Sequence, residues 1–159
     1  MSVDVVVESG GWVEKSLTRL AETCADTTLR HLGFDPAAYD IVVLACDDAR
    51  IADLNRDFRE KPMPTNVLSW PSEDRSASQP GDTPAKPALQ ELGDIAIAYE
   101  TCTAEARAAN TPFDAHVTHL LIHGMLHLLG YDHITEKDAE LMESLEVAIL
   151  ATLGHPDPY

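Results

Sequence analysis

The chain has few features of a secreted or membrane protein. Its three cysteines, Cys24, Cys46 and Cys102, are odd in number, widely scattered and form no C-x-x-C pair. That excludes a disulfide framework and matches thiols kept reduced in a cytoplasm. No apolar run approaches the roughly eighteen residues that a membrane span needs. The first twenty residues contain Asp4, Glu8 and Glu14 where a signal peptide would have a basic start and an apolar run. A soluble, cytoplasmic protein is expected. No internal repeat is visible. Bases are also scarce, 11 Lys and Arg against 27 Asp and Glu, for a formal charge of −16. Such a surface repels nucleic acid overall and favours solubility.

What is present suits one ordinary domain spanning 1–159, with 45% apolar residues to build a core. The bases are unevenly placed. Between positions 50 and 61, Arg50, Arg56, Arg59 and Lys61 face only Asp53, Asp57 and Glu60. Arg50 and Arg56 read as a solvated helix face with ordinary ion pairs. Arg59 and Lys61 leave that helix for a loop and are functional candidates.

The pattern along the chain is α+β. Val3 to Val7 is a β-branched run ended by Gly10-Gly11. Val13, Leu17, Leu20, Ala21, Cys24 and Leu32 recur at helical spacing as far as Gly33. Ile41 to Cys46 reads as a buried strand, and Asp47 or Asp48 then caps a helix carrying Ile51 and Leu54. Val67 to Trp70 is a short strand closed by Pro71. Asp94 to Tyr99 is apolar enough for the middle of a sheet, and a helix follows through Ala104 to Ala109. Thr111-Pro112-Phe113-Asp114 starts the next helix, with threonine as the capping residue. Thr135 and Asp138 start the last, whose Glu136, Glu140, Glu143 and Glu146 are expected to face solvent. Residues 72–91 are polar, proline-punctuated and aperiodic, and read as a mobile surface loop.

The chemistry is concentrated in HGMLHLLGYDH, residues 123–133. His123 and His127 project from one side of a helix, about 6 Å apart along its axis, so both can reach one cation. Gly130 can break the helix, and the turn through Tyr131 and Asp132 brings His133 back as a third ligand. Three imidazoles with a fourth position open to water describe a catalytic zinc site better than a closed structural one. At about 100° per residue, His116, His119, His123 and His127 share an arc of roughly 80°. His119 and His127 are about 12 Å apart along the axis, so the four cannot hold one ion. His133 selects the pair His123 and His127. His119 is left as a cleft-lining candidate, His116 as structural or solvent-facing, and His31 and His155 carry no signal.

One absence decides the reaction class. H-x-x-x-H-x-x-G-x-x-H resembles the metzincin protease site, but those enzymes have glutamate after the first histidine as general base. Gly124 stands there instead. Amide hydrolysis needs a group that deprotonates water and protonates the departing nitrogen, so proteolysis is disfavoured. A phosphodiester fits better: a metal can polarise a phosphoryl oxygen and activate water, and an arginine can hold a phosphate through its planar fork. Arg59 is the candidate for that clamp.

HGMLHLLGYDH (123–133), LNRDFRE with TNVLSWP (54–60 and 65–71) and LGDIAI (92–97), in that order, resemble the YbeY family of bacterial rRNA-maturation endoribonucleases. The resemblance implies a small mixed four-stranded sheet packed with about five helices, the metal helix lying near its centre. It implies one Zn2+ held by His123, His127 and His133, with Arg59 in the groove leading to it. The activity implied is cleavage of single-stranded RNA in 16S rRNA 3′-end maturation and ribosome quality control. The implied partners are ribosomal RNA, the small ribosomal subunit and assembly factors, with no DNA and no membrane. Lys61, His119 and Asp132 are candidates for the RNA groove or for supporting the ligands; Asp132 caps the turn or holds a ligand imidazole. Asn66 stands where the family usually has aspartate, Trp70 replaces a common phenylalanine, and the 72–91 segment is longer than usual. Other transition metals also suit imidazole. A metalloprotease-like or other metal-dependent hydrolase, and a ribosome assembly factor with a mainly structural metal, are the alternatives. The metal hydroxide, Asp132 and a substrate oxygen all remain candidates for the general base.

Overall fold

A computed structural model describes residues 2–159. It has the expected α+β class, with four strands and five α-helices. In chain order they are β1 (Ser2–Val7), α1 (Glu14–His31), a 3-10 turn (Pro36–Ala38), β2 (Asp40–Cys46), α2 (Asp48–Arg59), β3 (Val67–Pro71), β4 (Glu91–Ala98), α3 (Tyr99–Ala108), α4 (Phe113–Leu128) and α5 (Glu136–Thr152). The sheet order is β1-β2-β4-β3. β1, β2 and β4 are parallel, and β3 runs antiparallel to β4 along one edge.

Alternation along the strands sorts side chains onto two faces. Ile41, Val43, Ala45, Ile95 and Ile97 point into the main core, where α1, α4 and α5 cover them with Leu17, Leu29, Leu121, Met125, Met142 and Ile149. Cys46, Ala96 and Ala98 point the other way and pack with Leu68 and Trp70 against Ile51 and Leu54 of α2. All three cysteines are buried and unpaired, and burial pushes each thiol up to about 12. At ordinary pH they behave as small apolar side chains.

Capping follows the sequence in two helices and departs from it in one, and the apolar repeat of α1 departs from it at Val13. Asp47 accepts the Arg50 amide and Thr135 accepts the Asp138 amide. Thr111 does not cap α4. Pro112 takes that position, and the Thr111 hydroxyl turns to the Ala109 carbonyl. At α1, Val13 is an exposed flanking residue, and its neighbour Trp12 enters the core instead, donating to the Cys46 carbonyl at 2.9 Å.

Between Ser72 and Gln90 the chain has neither helix nor strand, yet Arg75 within it is only 2% exposed. The reason begins at an irregularity in β4. Asp40 pairs with Glu91 but Ile41 pairs with Gly93, so Leu92 is an extra residue in the ladder. Leu92 turns into the core, and its carbonyl receives Ser72 N–H at 2.9 Å and an Arg75 donor at 3.1 Å. Gly93 makes the bulge with φ +138°, and a Cβ there would collide with the Trp70 carbonyl. Gly93→Ala is therefore expected to cost about 2 kcal/mol or more, read as a lower urea midpoint; an unchanged midpoint would show that β3 can give way.

Candidate metal centre and cleft

The face of α4 away from the cleft is apolar and buried through Val117, Leu121, Met125 and Leu128, so His119, His123 and His127 line a cleft of about 970 Å³. Gly124 is the point of close approach: a Cβ there would lie 3.2 Å from Ile95 Cδ1. The helix then reverses in a Schellman turn. Tyr131 N–H donates to the Leu126 carbonyl and Gly130 N–H to the His127 carbonyl, both at 3.0 Å. Gly130 carries the left-handed φ of +102° that this turn requires. The reversal brings His133 over the helix end. Ring centroids of His123, His127 and His133 lie 4.6, 5.1 and 5.4 Å from one another, and one nitrogen from each ring falls within 4.8 Å of the other two.

Protonation makes this cluster fit a cation. His127 Nδ1 lies 2.9 Å from the Tyr131 carbonyl, which can only accept, so Nδ1 carries the hydrogen. His123 Nδ1 lies 3.3 Å from a Glu146 carboxylate oxygen and carries its hydrogen for the same reason. Both Nε2 atoms then present lone pairs to each other at 3.0 Å. Tetrahedral coordination with metal–nitrogen bonds of about 2.0–2.1 Å would separate two such nitrogens by about 3.3 Å. A cation resolves the repulsion, and a transition metal suits a set of three imidazoles.

Glu146 is a correction to the sequence reading. Expected on the solvated face of α5, it is 1% exposed beneath the histidine stripe. Its carboxylate receives His119 Nε2 at 2.7 Å, His123 Nδ1 at 3.3 Å and the Tyr159 hydroxyl at 3.1 Å. Burial alone would raise its pKa. The hydrogen bonds from His119 and His123, the leading opposing causes, bring it to about 2. A carboxylate behind a ligand imidazole fixes its tautomer and makes it a better donor. Tyr159 is a second residue the sequence did not reveal. Burial and the Glu146 charge raise its pKa, which keeps its hydroxyl a donor. For Glu146 a signal existed, because it falls in line with Met142, Ile149 and Leu150 on the buried side of α5; Tyr159 gave none.

Arg59 and Lys61 line the cleft opposite the histidines. Arg59 ends α2, and one of its donors rests on the Ser69 carbonyl of edge strand β3 at 2.9 Å. Among the described residues its remaining donors have no hydrogen-bond partner. Glu60 in the left-handed region turns the chain, and buried Asn55 holds the loop through the Met63 carbonyl at 2.9 Å, placing Lys61 on the same wall. Asp132 accepts the His133 amide at 2.7 Å and stays 3.9 Å from His127 Nδ1, so its hydrogen bond caps the turn. His116 lies outside the cluster, bonded to Glu105 at 2.9 Å. Asn66 donates to the same Glu105 at 3.0 Å, a bond that an ionised aspartate could not make.

A family model described as Endoribonuclease YbeY matches residues 7–154. The chain is 54% identical over 157 residues to the endoribonuclease YbeY of Paracoccus denitrificans, covering 99% of this chain and 89% of that protein. It is 51% identical over 160 residues to that of a Jannaschia species, covering both chains completely. The solution structure of TM1509 from Thermotoga maritima superimposes with a TM-score of 0.58 at 23% identity, over 96% of this chain and 91% of that one, and so shares the fold. The chain belongs to the endoribonuclease YbeY family.

Two outcomes test the electrostatics of the cluster. Desolvation, aided by neighbouring His123, lowers His127 from 6.5 to about 4. As pH falls the unfolded chain is protonated first, so stability is full above 6.5 and is lost down to about 4. Metal-free protein should lose up to about 3 kcal/mol across that window, read as a falling urea midpoint; a flat midpoint would contradict a desolvated His127. Glu146→Gln should weaken metal binding by about 10–100-fold, measured by competition with a chromophoric chelator. An unchanged affinity would remove the support assigned to this carboxylate.

Proposed function

We propose that this chain is a zinc-dependent endoribonuclease specific for single-stranded RNA, acting in 16S rRNA 3′-end maturation and ribosome quality control. The observation that carries the reading is the convergence of three imidazoles in a cleft that Arg59 and Lys61 also line, in a chain of this family. The proposed ligands are His123, His127 and His133. When bound, zinc supplies a Lewis acid for a phosphoryl oxygen and lowers the pKa of a bound water. Glu146 and the Tyr131 carbonyl hold the ligand rings in the tautomers that aim Nε2 inward. Arg59, anchored on Ser69, grips the phosphodiester with its free donors, and Lys61 adds charge along the same wall.

The acidity of the chain is compatible with RNA once the cleft is considered alone. Its lining carries three bases, Arg59, Lys61 and Arg75, against three acids, Glu73, Asp74 and Asp132. A divalent ion tips that balance positive while the rest of the surface repels RNA bound elsewhere. Proteolysis is disfavoured because the base-bearing position is Gly124, where a side chain meets Ile95 of the sheet. The proposed partners are ribosomal RNA, the small ribosomal subunit and its assembly factors. Three buried free cysteines support a reducing, cytoplasmic setting, and among the described residues no helix is long and apolar enough to cross a membrane.

Metal-free protein reconstituted with single ions, assayed on single-stranded fragments of rRNA precursor, tests the reading. Cleavage should return with zinc and fail in His127→Ala. Arg59→Ala should keep fold and metal but lose about 10²-fold or more in rate. Full-rate cutting by the arginine variant would remove the phosphate clamp. Ribosome association retained in both variants, with no cleavage by the zinc-loaded wild type, would favour an assembly factor with a structural metal.

A further inference from the structure

Among the described residues, Arg75 is the one charged side chain that the core encloses almost completely, at 2% exposure, and that touches neither the proposed ligand rings nor the proposed phosphate clamp. Placing a guanidinium there costs several kcal/mol of solvation unless its donors are met. They are met mainly by backbone. One terminal nitrogen donates to the Leu128 carbonyl at 2.6 Å and the Leu92 carbonyl at 3.1 Å. The other donates to the Ser72 hydroxyl at 3.0 Å and reaches the Glu91 carbonyl at 3.4 Å. Nε faces the Glu73 carboxylate at 3.4 Å, an ion pair without hydrogen-bond alignment.

The identity of those carbonyls matters more than their number. The Schellman turn satisfies the Leu126 and His127 carbonyls but not the next one, Leu128, at the negative end of the α4 dipole. The β4 bulge likewise turns the Leu92 carbonyl out of the ladder. One guanidinium joins the otherwise unmet Leu128 carbonyl to the Leu92 carbonyl, which also accepts Ser72 N–H, tying the end of the histidine helix to the sheet. The backbone of the same residue closes the turn from outside: a Cβ on Gly130 would lie 2.5 Å from the Arg75 carbonyl oxygen. That oxygen accepts Ala85 N–H at 3.0 Å, so the segment folds over its own arginine.

Resting on the metal reading above, we propose that Arg75 is a positioning residue of the metal centre. It clamps the C-terminus of α4 to the β4 bulge and holds the 129–133 turn where His133 meets His123 and His127. The irregular segment after β3 is then a brace for the site. A lysine would carry the charge but not the planar fork that spans two carbonyls.

The test compares Arg75→Met, Arg75→Lys and the milder Ser72→Ala with a variant in the core that does not line the cleft, Leu29→Ala. Zinc affinity is measured by chelator competition, and geometry by the visible spectrum of the Co2+-loaded protein. Amide hydrogen exchange of residues 129–133 is followed in the metal-free state. Arg75→Met should weaken zinc binding about 10–100-fold, in the range found when a partner behind a metal ligand is lost. It should also alter the cobalt spectrum and speed exchange in the turn. Arg75→Lys should be intermediate and Ser72→Ala smaller in the same direction, while Leu29→Ala loses stability and keeps affinity and spectrum. Wild-type affinity and turn protection in Arg75→Lys and Ser72→Ala would overturn the proposal, as would an equal loss of affinity in Leu29→Ala. If Arg75→Met does not fold, the two milder variants decide. A wild type that binds no ion would sink the metal reading, and exchange in the turn would still decide the clamp.

Discussion

The seating of α4 on β4 sets the direction of three of the four imidazoles that line the cleft. At Gly124 the helix comes so close to Ile95 that a methyl group would be felt. With Val117, Leu121, Met125 and Leu128 committed to the core, helical geometry leaves His119, His123 and His127 on the open side. The energy that aims the ligands is the ordinary burial of apolar area on the opposite face. Chemistry at the cleft is thus held by a rigid element rather than a free loop.

That aim is incomplete until the helix ends. Its last carbonyls need partners away from water, and the protein supplies them from two sources, the Schellman turn and the Arg75 guanidinium, which the Leu92 carbonyl turned out by the bulge holds from the sheet side. The turn that satisfies the backbone is the turn that returns His133. Backbone accounting and ligand geometry have one solution, so a fault at the helix end reaches the site directly.

Electrostatics follow the same economy. Desolvation first, and the neighbouring His123 second, disfavour the protonated form of His127. Glu146 balances the set from below as a buried anion shared by His119, His123 and Tyr159. Across the cleft Arg59 and Lys61 supply cations from the end of α2. A chain of net charge −16 in this way still keeps Arg59 and Lys61 together on one wall of the cleft.

The strands, the five helices and the clustering of His123, His127 and His133 were legible in the residues, because each rests on local rules. Alternating or continuous apolar runs mark strands, a period near 3.6 marks helices, and the histidine spacing with Gly130 marks a cation site. Capping was read correctly at Asp47 and Thr135, where the bond is local. It failed at Thr111, whose hydroxyl had a nearer carbonyl. Tertiary structure alone decided the rest. Glu146 looked like one more acid on a charged helix until α4 buried it against two histidines. Arg75 sat in a stretch with no periodicity, and its four hydrogen-bonding partners come from three separate stretches of chain. Spacing along a chain determines which groups can share a face; only packing determines which groups lose water, and loss of water is what gives a carboxylate or a guanidinium its influence.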